Sequence, residues 1–440
     1  MISILGLAAA LALLVYLAMR GMSILIAAPL CAIVIALTSG LTLLPPKGST
    51  EVSFALSYMT GFTGFFRDWF LMFLLGAIFG KIMEDSGAAH AIAHWVISKL
   101  GVKHAVLAVV AACAILTYGG VSVFIVAFSV YPMAVGLFRD ANLPRRFLPG
   151  TIAFGSVTFT MTSAGSVEMQ NWIPMQYLGT TTYAGWQVSL IVAIFMALAG
   201  FYWLTRMITK AVANGEGFEG RDSDPASRST STLPNPVLSL LPLIAVLGVS
   251  FALQDYYGKY ALVIALASGI VVATLLNIKS FTDFGGAISL GATGAVIAIA
   301  NTCAVVGFGS VAKVSPAFQQ ALDALTSMPG SPLVAAALAI TVICGLTGSA
   351  SGGQTIALPL LAPLYVGADA PHPVDPEALH RVIAIASGGL DSLPHNGYVV
   401  TTIRAICGET HKAAYGTVGA LTVVVPAIGT VLALVLFSVF

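Results

Sequence analysis

Two titratable side chains lie four residues apart in an otherwise apolar part of the chain. They are Asp391 and His395, within the run 387–397. A spacing of four residues puts both side chains on one face wherever the backbone continues as a helix. Histidine titrates near neutral pH, and burial favours the protonated form of a carboxyl group, so either residue is a candidate carrier of a coupling proton. The alternative is that His395 is a structural hydrogen-bonding partner of Asp391.

The same run contains residues that interrupt helices. Gly388, Gly389, Pro394 and Gly397 weaken or break a helix there, which frees backbone N–H and C=O groups. Each such group costs several kcal/mol when it is unsatisfied in hydrocarbon, so broken backbone is tolerated only around a cavity or a ligand. An ionised aspartate at mid-membrane adds about 2.5–3.5 kcal/mol on insertion scales. The run therefore predicts one half of a transport site.

Three further clusters of hydroxyl, amide and glycine residues lie in apolar surroundings, at 117–120, 155–166 and 345–354. We expect them to meet the run 387–397 near the middle of the membrane. The polar residues of these four clusters include neither Arg nor Lys. Broken helices, however, expose N-termini that carry about half a positive charge. Such a site suits a small hydroxylated carboxylate, held without a fixed cation. The alternative is that these small residues only pack helices closely in lipid.

The candidate site residues fall into two groups. The predicted substrate-binding residues are Thr117, Gly119, Ser156, Thr158, Thr162, Ser163, Asn171, Ser349, Ser351, Gly352, Gly353, Ser387, Gly388, Ser392 and Asn396. The predicted coupling-ion residues are Asp391, His395 and Glu168, of which Glu168 is either a proton site or a residue that reaches the membrane interface. We expect no cofactor and no metal site; a proton is the favoured coupling ion, and sodium is the alternative.

The other titratable residues are interpreted as structural. Lys81, Glu84 and Asp85 are expected to form an ion-pair cap at a helix end. His90 and His94 have a metal-like spacing but lie in an amphipathic stretch without a third ligand, so we assign them to a solvated face. The five cysteines lie singly in apolar runs and indicate neither a disulfide nor a metal centre.

The composition indicates a polytopic membrane protein. Of 440 residues, 58% are hydrophobic and 8% are charged, whereas soluble domains carry about 25% charged residues. The net charge of +1 and the lack of a long basic patch argue against nucleic acid as a partner. Arg20 follows the first apolar run instead of preceding it, so we expect a retained first span and no cleaved signal peptide.

The elements that position the clusters form two similar halves. Residues 1–207 are predicted to hold a re-entrant hairpin at 104–138 and a broken span at 149–182, and residues 236–440 a hairpin at 331–366 and a broken span at 381–404. A mobile cytoplasmic linker, 208–235, joins them. The full spans are predicted at 3–19, 22–44, 67–80, 186–206, 236–253, 260–277, 284–310 and 414–438, with amphipathic connectors at 81–103 and 311–329. This gives an all-α fold of about ten spans plus two hairpins.

Charge placement orients the two halves. Basic residues gather at one predicted end of the spans, and Asp369, Asp375 and Glu377 lie at the other. The basic positions are Arg20, 81–103, 139–146, 206–228, Lys279 and 404–412. The positive-inside rule makes the basic end cytoplasmic, in a multi-pass protein of the inner membrane. The halves are then inverted repeats whose broken helices meet at the midplane, which is a transporter pattern.

Several of these motifs resemble the gluconate permease family, within the larger ion-transporter superfamily. The resemblance covers most of the chain and is carried by 79–88, 348–353 and 389–397. The runs 159–162, 170–175 and 177–181 are similar to its hydroxybutyrate permease-like branch, although 163–168 replaces the prolines that this branch has around a glycine. The family implies proton-coupled uptake of sugar acids or short hydroxy acids. The superfamily implies a homodimer that works by an elevator movement.

The residues and the resemblance together predict a secondary active transporter of a small organic acid, such as hydroxybutyrate or gluconate, by proton symport. A sodium-coupled carboxylate symporter is the first alternative. An intramembrane enzyme is a second, but the chain lacks a paired Asp motif, His-Glu-x-x-His and Gly-x-Ser-x-Gly. A channel is disfavoured because both hairpins interrupt a continuous pore.

Overall fold

The computed structural model describes residues 2–20, 22–48, 51–221, 224, 233–281, 283–326, 330–367 and 369–439, and in these residues the protein consists of helices and the loops that join them. In the first half the helices are α1 (Ile2–Met19), α2 (Ile24–Thr38), α3 (Phe54–Asp85), α4 (Ala88–Leu100), α5 (Ala105–Tyr118), α6 (Val123–Asp140), α7 (Leu148–Ala153), α8 (Met169–Leu178) and α9 (Trp186–Ala213). In the second half they are α10 (Pro236–Ser239), α11 (Leu241–Tyr257), α12 (Ala261–Asn277), α13 (Phe284–Lys313), α14 (Pro316–Thr326), α15 (Pro332–Thr347), α16 (Ala350–Tyr365), α17 (Pro376–Leu390), α18 (Gly397–Val400), α19 (His411–Gly419) and α20 (Val425–Val439).

Six helical segments within these ranges are long and apolar enough to cross a membrane. They are Phe54–Asp85, Val123–Asp140, Trp186–Ala213, Pro236–Ser280, Phe284–Lys313 and His411–Val439. The segment Pro236–Ser280 turns back near Gly258, because Val246 of α11 lies against Gly269 of α12. The chain is therefore an all-α polytopic membrane protein, as its composition predicts.

The third predicted span, 67–80, is wrong at its start. The helix α3 begins at Phe54, where the Ser53 side chain accepts a hydrogen bond from the backbone N–H of Leu56. Arg67 and Asp68 read as a boundary in the sequence, but they pair with each other at 3.1 Å within the helix. This pairing lets the helix continue through two charged residues.

Close packing between α3 and α13 depends on small residues. Gly61 of α3 lies against Ser310 of α13, and Gly291 of α13 lies against the backbone of Ala77 and Ile78. These contacts run in opposite directions along the two helices, so α3 and α13 are antiparallel. A side chain at either glycine would push the two helices apart, which is the packing role of small residues in membrane helices.

Each half contains one broken span, in which a helix ends and a new helix begins after a short non-helical stretch. After α7 the backbone forms a π-helical turn, Phe154–Thr158, and α8 then begins only at Met169. In the second half α17 ends at Leu390, and α18 begins at Gly397 and continues as a π-helical turn, Thr401–Ile406. We call 159–168 the first break and 391–396 the second break.

The first of the helix pairs predicted as re-entrant hairpins has helices of unequal length, 14 and 18 residues, and the second has two helices of 16 residues each. In the first pair, α5 and α6 are joined at 119–122, and α4 meets the segment Val102–Tyr118 at a bend of 101°. The helix α6 is long and apolar enough to cross a membrane by itself. In the second pair, α15 and α16 are joined by Gly348 and Ser349.

The linker expected to be mobile is held in the part that the structure describes. The helix α9 continues to Ala213, so the polar segment begins later than predicted. Glu216 accepts two hydrogen bonds from Arg146, at 2.6 and 2.9 Å, and these bonds hold the pKa of Glu216 below its usual value. Arg221 donates to Glu409 at 2.7 Å. Residues 222–223 and 225–232 of the predicted linker, like 327–329 of the connector 311–329, lie outside the described residues.

Asp224 extends this attachment to a buried arginine. Arg145, whose side chain is 4% exposed, pairs with Asp224 and lies 3.3 Å from Glu409. The Arg145 guanidinium also donates to the carbonyl of Cys407 at 3.3 Å. The described part of the linker is therefore fastened to the loop that follows the second broken span.

The predictions for the connector 81–103 have mixed outcomes. Lys81 pairs with Glu84 at 3.2 Å and with Asp85 at 2.8 Å, so the ion-pair cap is confirmed. The solvated face is wrong for His90, which is buried on α4, whereas His94 is half-buried. The helix α4 packs against α5 and α6, so this side of it faces protein.

Candidate functional site

The second break is docked on the turn between α15 and α16. Asn396 caps α18 by accepting a hydrogen bond from the backbone N–H of Val399 at 3.0 Å. The same side chain donates to the carbonyl of Gly348 at 3.1 Å. The amide of Asn396 is therefore engaged within the protein on both sides, and its role in this structure is to hold the break against the turn.

The turn itself requires a glycine and a capping serine. Gly348 has a φ of 61°, in the left-handed region that favours glycine, and the His395 ring lies directly against its α-carbon. Ser349 caps α16 by accepting from the backbone N–H of Gly352 at 3.1 Å, and its hydroxyl lies 3.3 Å from that of Ser351. The N-terminus of α16, with the hydroxyls of Ser349 and Ser351, thus lies beside the second break, and the backbone N–H of Ala350 bonds to the Asp391 carboxyl group.

Asp391 occupies the start of the second break. Its carboxyl group accepts a hydrogen bond from the Ser392 hydroxyl at 2.9 Å, and the carbonyl of Ser392 accepts one from Tyr415 at 3.3 Å. Within the described residues Asp391 has no cationic partner at ion-pair distance and no hydrogen bond to His395. The interpretation of His395 as a direct partner of Asp391 is therefore wrong in this structure. His395 packs on the α15–α16 turn instead.

The first break is held by the tip of the first helix pair and by α8. Tyr118, the last residue of α5, donates to the carbonyl of Ala164 at 2.8 Å. Asn171 of α8 donates to the carbonyls of Ser163 and Ser166, at 2.6 and 3.1 Å. Asn171 is fully buried, so its amide positions the loop and is not free to bind a substrate in this conformation.

A buried cation lies among the predicted site residues, contrary to the expectation that none would. Arg381 is 0% exposed. Its guanidinium donates to the side-chain carbonyl of Asn171 at 2.8 Å and to the backbone carbonyl of Thr162 at 2.6 Å. It also donates to the carbonyls of Thr182 and Ala184, at 3.0 and 2.9 Å.

Arg381 has no carboxylate at ion-pair distance among the described residues; the acceptors that it contacts are uncharged oxygens. Glu377, one turn earlier on α17, interacts electrostatically with Arg381 from beyond ion-pair distance. A single Arg in the apolar run 378–390 is the signal from which the sequence could have identified it, because an intramembrane charge is costly unless it is used.

Gln354 connects the two broken spans. The side chain is fully buried on α16 and donates to the backbone carbonyl of Gln170 at 3.2 Å and to the Ser387 hydroxyl at 3.0 Å. Its other amide atom, Oε1, has no hydrogen-bond partner among the described residues. The sequence predicts Gln354 as one of the polar residues of the cluster 345–354, but one sequence does not show that it bridges both halves.

A second close approach also joins the two halves. An added Cβ at Gly388 would lie 3.7 Å from the Thr162 methyl group, so the first break reaches the end of α17. Taken with Gln354, this contact connects the first break, α8, α16 and α17. The structure thus places Thr162, Ser387 and Gly388 together, as the sequence predicts for a shared site.

The remaining predicted residues fall on the first half. Thr158 donates to the carbonyl of Leu421 at 3.0 Å, and Ser156 lies beside Tyr398. Both are buried against the second half, and Thr117 is buried within α5. Ser163 donates to the carbonyl of Phe159, within its own loop.

Two of the predicted glycines have packing roles. An added Cβ would meet Leu243 at 2.9 Å from Gly119, and it would meet the Cys344 sulfur at 2.4 Å from Gly353. Each glycine therefore allows a close contact with a neighbouring helix. For these two positions the structure favours the packing interpretation over substrate binding.

Glu168 lies at the start of α8 and is half-buried. It forms no ion pair with another described residue. Across the described residues, no group of three His, Cys, Asp or Glu side chains is close enough to hold a metal ion. All five cysteines are free and buried.

We expect Gly348→Ala to weaken the docking of the second break strongly. The new Cβ would lie 2.4–2.5 Å from the His395 ring, and the residue would keep a φ of 61°, which costs about 1–2 kcal/mol for a residue other than glycine. Thermal unfolding of the purified protein should shift to lower temperature.

The matched control for this experiment is Gly397→Ala. Gly397 directly follows the second break, and an added Cβ there meets nothing within 4 Å. Its melting temperature should stay close to that of the native protein. Equal melting temperatures for both variants would contradict the docking that we describe.

Comparison with known proteins gives relatives that are all named as transporters. A Bacillus subtilis (strain 168) protein named Uncharacterized transporter YxjC is 37% identical over an alignment of 454 positions, which covers 94% of each chain. An Uncharacterized transporter of Haemophilus influenzae is 28% identical over 199 residues, or 45% of each chain. The High-affinity gluconate transporter of Escherichia coli (strain K12) is 31% identical over 98 residues, or 22% of each chain. No family model matches the chain.

The first of these similarities extends along almost the whole chain, and the helical fold agrees with it. A protein with several apolar spans whose full-length relative is a transporter is itself a transporter and not an enzyme. The chain belongs to the family of membrane transporters that includes the Bacillus subtilis transporter YxjC.

Proposed function

We propose that the protein takes up a small organic acid by proton symport. The observation that carries this proposal is Asp391, a carboxyl group at the second break that has no cationic partner among the described residues. An ionised aspartate inside a membrane protein is costly unless it is paired or protonated. A site that binds a proton together with an anionic substrate removes this cost.

The proposed substrate is a small carboxylate with hydroxyl groups. The hydroxyls of Ser349 and Ser351 lie at the N-terminus of α16, where the helix dipole favours an anion. The buried positive charge of Arg381 near Thr162 also favours an anion in the same region. Among the relatives, the High-affinity gluconate transporter supports a sugar acid, and the motif resemblance adds short hydroxy acids such as hydroxybutyrate.

The proposed mechanism is alternating access by an elevator movement. The two helix pairs and the two broken spans move together as one unit. Hydrogen bonds of Gln354, Asn396 and Tyr118 each join a helix pair to a broken span. When the substrate carboxylate and one proton are both bound, this unit carries less net charge through the membrane, and its barrier to crossing falls. We further propose that the protein works as a homodimer in the inner membrane, built from two inverted repeats.

Sodium coupling is the second candidate. The carboxyl oxygens of Asp391 and the hydroxyl of Ser392 lie beside the exposed backbone of a broken helix, and a hard cation prefers oxygen ligands of this kind. The choice between a proton and sodium is made by the gradient that drives uptake.

Asp391→Asn should separate exchange from accumulation. The variant keeps the size of the side chain but cannot take up a proton, so we expect it to exchange labelled substrate across proteoliposome membranes and to lose uptake against a concentration gradient. The measurement is uptake of labelled gluconate and of labelled 3-hydroxybutyrate with an imposed proton gradient at fixed sodium.

His395→Gln and Glu168→Gln are tested in the same way. If uphill uptake survives in Asp391→Asn and in His395→Gln, neither residue is the coupling site, and Glu168 becomes the candidate. If uptake requires sodium and ignores the proton gradient, proton symport is wrong and the region around Asp391 is a sodium site.

A further inference from the structure

A large apolar cavity lies on the far side of the first break from α8. Its volume is about 790 Å³, within the range of about 300–1,000 Å³ that is typical of ligand pockets. Its walls come from the end of α5, the loop 159–164, one face of α9 and one face of α11. The lining is almost entirely aliphatic and aromatic.

The cavity opens onto surfaces that face the membrane. Leu190 and Ile194 of α9 are 54% and 51% exposed, and Ile244 of α11 is 58% exposed. All three line the cavity, and they lie on the two segments Trp186–Ala213 and Pro236–Ser280, which are long and apolar enough to cross a bilayer. Hydrocarbon, and not water, therefore surrounds the mouth.

The polar groups on the floor of the cavity are already hydrogen-bonded within the protein. The backbone carbonyl of Ala164 accepts a hydrogen bond from the Tyr118 hydroxyl at 2.8 Å, and the backbone N–H of Ala164 donates one to the Ser189 hydroxyl at 2.8 Å. The hydroxyls of Ser163 and Thr160 donate to carbonyls one turn earlier in the chain. A floor with satisfied polar groups accepts an apolar occupant without the cost of an unpaired donor or acceptor.

The length of the cavity matches one leaflet of a bilayer. Along α9 its lining extends from Trp186 to Ala197, which is about 16 Å at 1.5 Å per residue. Half of a bilayer core of about 30 Å is about 15 Å. Trp186 and Tyr183 lie together at one end, beside the loop that precedes α9, and such aromatic residues prefer the depth of lipid headgroups.

We propose that this cavity binds one acyl chain of a membrane phospholipid, with the headgroup at the end marked by Trp186 and the chain end near Ala197. The acyl chain lies between α9 and α11 and covers the side of the loop 159–164 that lines the cavity. None of the lining residues belongs to α8 or α16, so the lipid site lies apart from the part of the substrate site on those two helices.

The test is photolabelling of the purified full-length protein in nanodiscs that contain a phosphatidylglycerol with a diazirine in the middle of one acyl chain. Peptides of α9 and α11 that line the cavity should take up several-fold more label per residue than exposed apolar faces elsewhere, such as that of α20. Transport activity is not needed for this readout, so its outcome is independent of the proposed function.

Filling the cavity should remove this excess label. The variant Ala193→Trp with Ala197→Trp places two large side chains in the lining, whereas Leu198→Trp is the matched control on the same helix. Leu198 is 67% exposed and does not line the cavity. Size-exclusion elution and thermal unfolding check that both variants are folded.

Three outcomes would overturn the proposal. The first is native protein with label spread evenly over all exposed apolar faces, which indicates only annular lipid. The second is excess label that persists in the folded cavity-filling variant. The third is efficient cross-linking of two copies of the protein through Ala193→Cys, which shows that a second copy of the chain covers the cavity.

Discussion

Arg381→Met is expected to be recovered from membranes in far smaller amounts than the native protein and to bind no substrate. The substitution removes the donor of four hydrogen bonds, three of them to the backbone carbonyls of Thr162, Thr182 and Ala184. A buried acceptor left unsatisfied costs about 1–3 kcal/mol. Four such losses approach the whole stability of a typical protein, about 5–15 kcal/mol. Yield, thermal unfolding and substrate binding in detergent measure the effect.

Two further variants separate the charge of Arg381 from its geometry. Arg381→Lys keeps the positive charge but cannot reproduce the planar set of donors, so we expect a partial loss of stability with some binding retained. Arg206→Met is the matched control, because Arg206 lies on the exposed surface of α9 and bonds only locally to Tyr202 at 2.9 Å. Native-like stability and binding in Arg381→Met would show that this arginine holds neither the first break nor the substrate.

Gln354→Leu is expected to give the second large effect. Gln354 joins the carbonyl of Gln170 in the first half to the hydroxyl of Ser387 in the second, and leucine removes both hydrogen bonds at similar volume. Loss of buried hydrogen bonds of this kind costs about 1–3 kcal/mol, which corresponds to a fall in substrate affinity of about 5–150-fold if the broken spans must stay aligned to bind it. Binding of the substrate identified by transport assays provides the measurement.

Thr355→Val is the control for this substitution. Thr355 is the next residue on α16, and its hydroxyl bonds to the carbonyl of Ser351 one turn earlier in the same helix. We expect its affinity to equal that of the native protein. If Gln354→Leu and Thr355→Val bind equally well, the link between the broken spans has no role in binding.

The class of the protein and the place of the second break follow from residue types. The run 387–397 contains glycines, a proline and a capping asparagine, and the structure ends α17 at Leu390 and begins α18 at Gly397 within it. These residues determine local backbone conformation, so one sequence is sufficient to locate them. The same holds for Lys81, whose two partners lie one helical turn away.

Contacts between residues that are far apart in the sequence could not be predicted from local residue types. Arg381 bonds to residues about 200 positions earlier, and nothing local shows that a buried charge is met by carbonyls of another span. The described part of the linker has the composition of a mobile segment, yet Arg145, Arg146 and Glu409 hold it. In both cases the partners are charged or backbone groups that only the tertiary fold brings together.

The early start of α3 has a different cause. Ser53 and the pair of Arg67 with Asp68 look like a polar boundary, but neighbouring opposite charges neutralise each other and the helix continues. Glycines such as Gly61 also lower helix propensity. Their packing on α13 compensates, and that contact is again invisible in the local sequence.

Counterflow in proteoliposomes tests the central claim most directly, because it needs no assumption about the coupling ion. Liposomes that contain the purified native protein are loaded with an unlabelled small hydroxy acid or sugar acid, and the labelled compound is added outside at low concentration. We predict a transient, saturable accumulation of label for at least one of gluconate and 3-hydroxybutyrate. Gln354→Leu liposomes, at equal protein content, should show markedly less. Counterflow of neutral sugars or amines but of none of the acids would contradict transport of an organic acid by this protein.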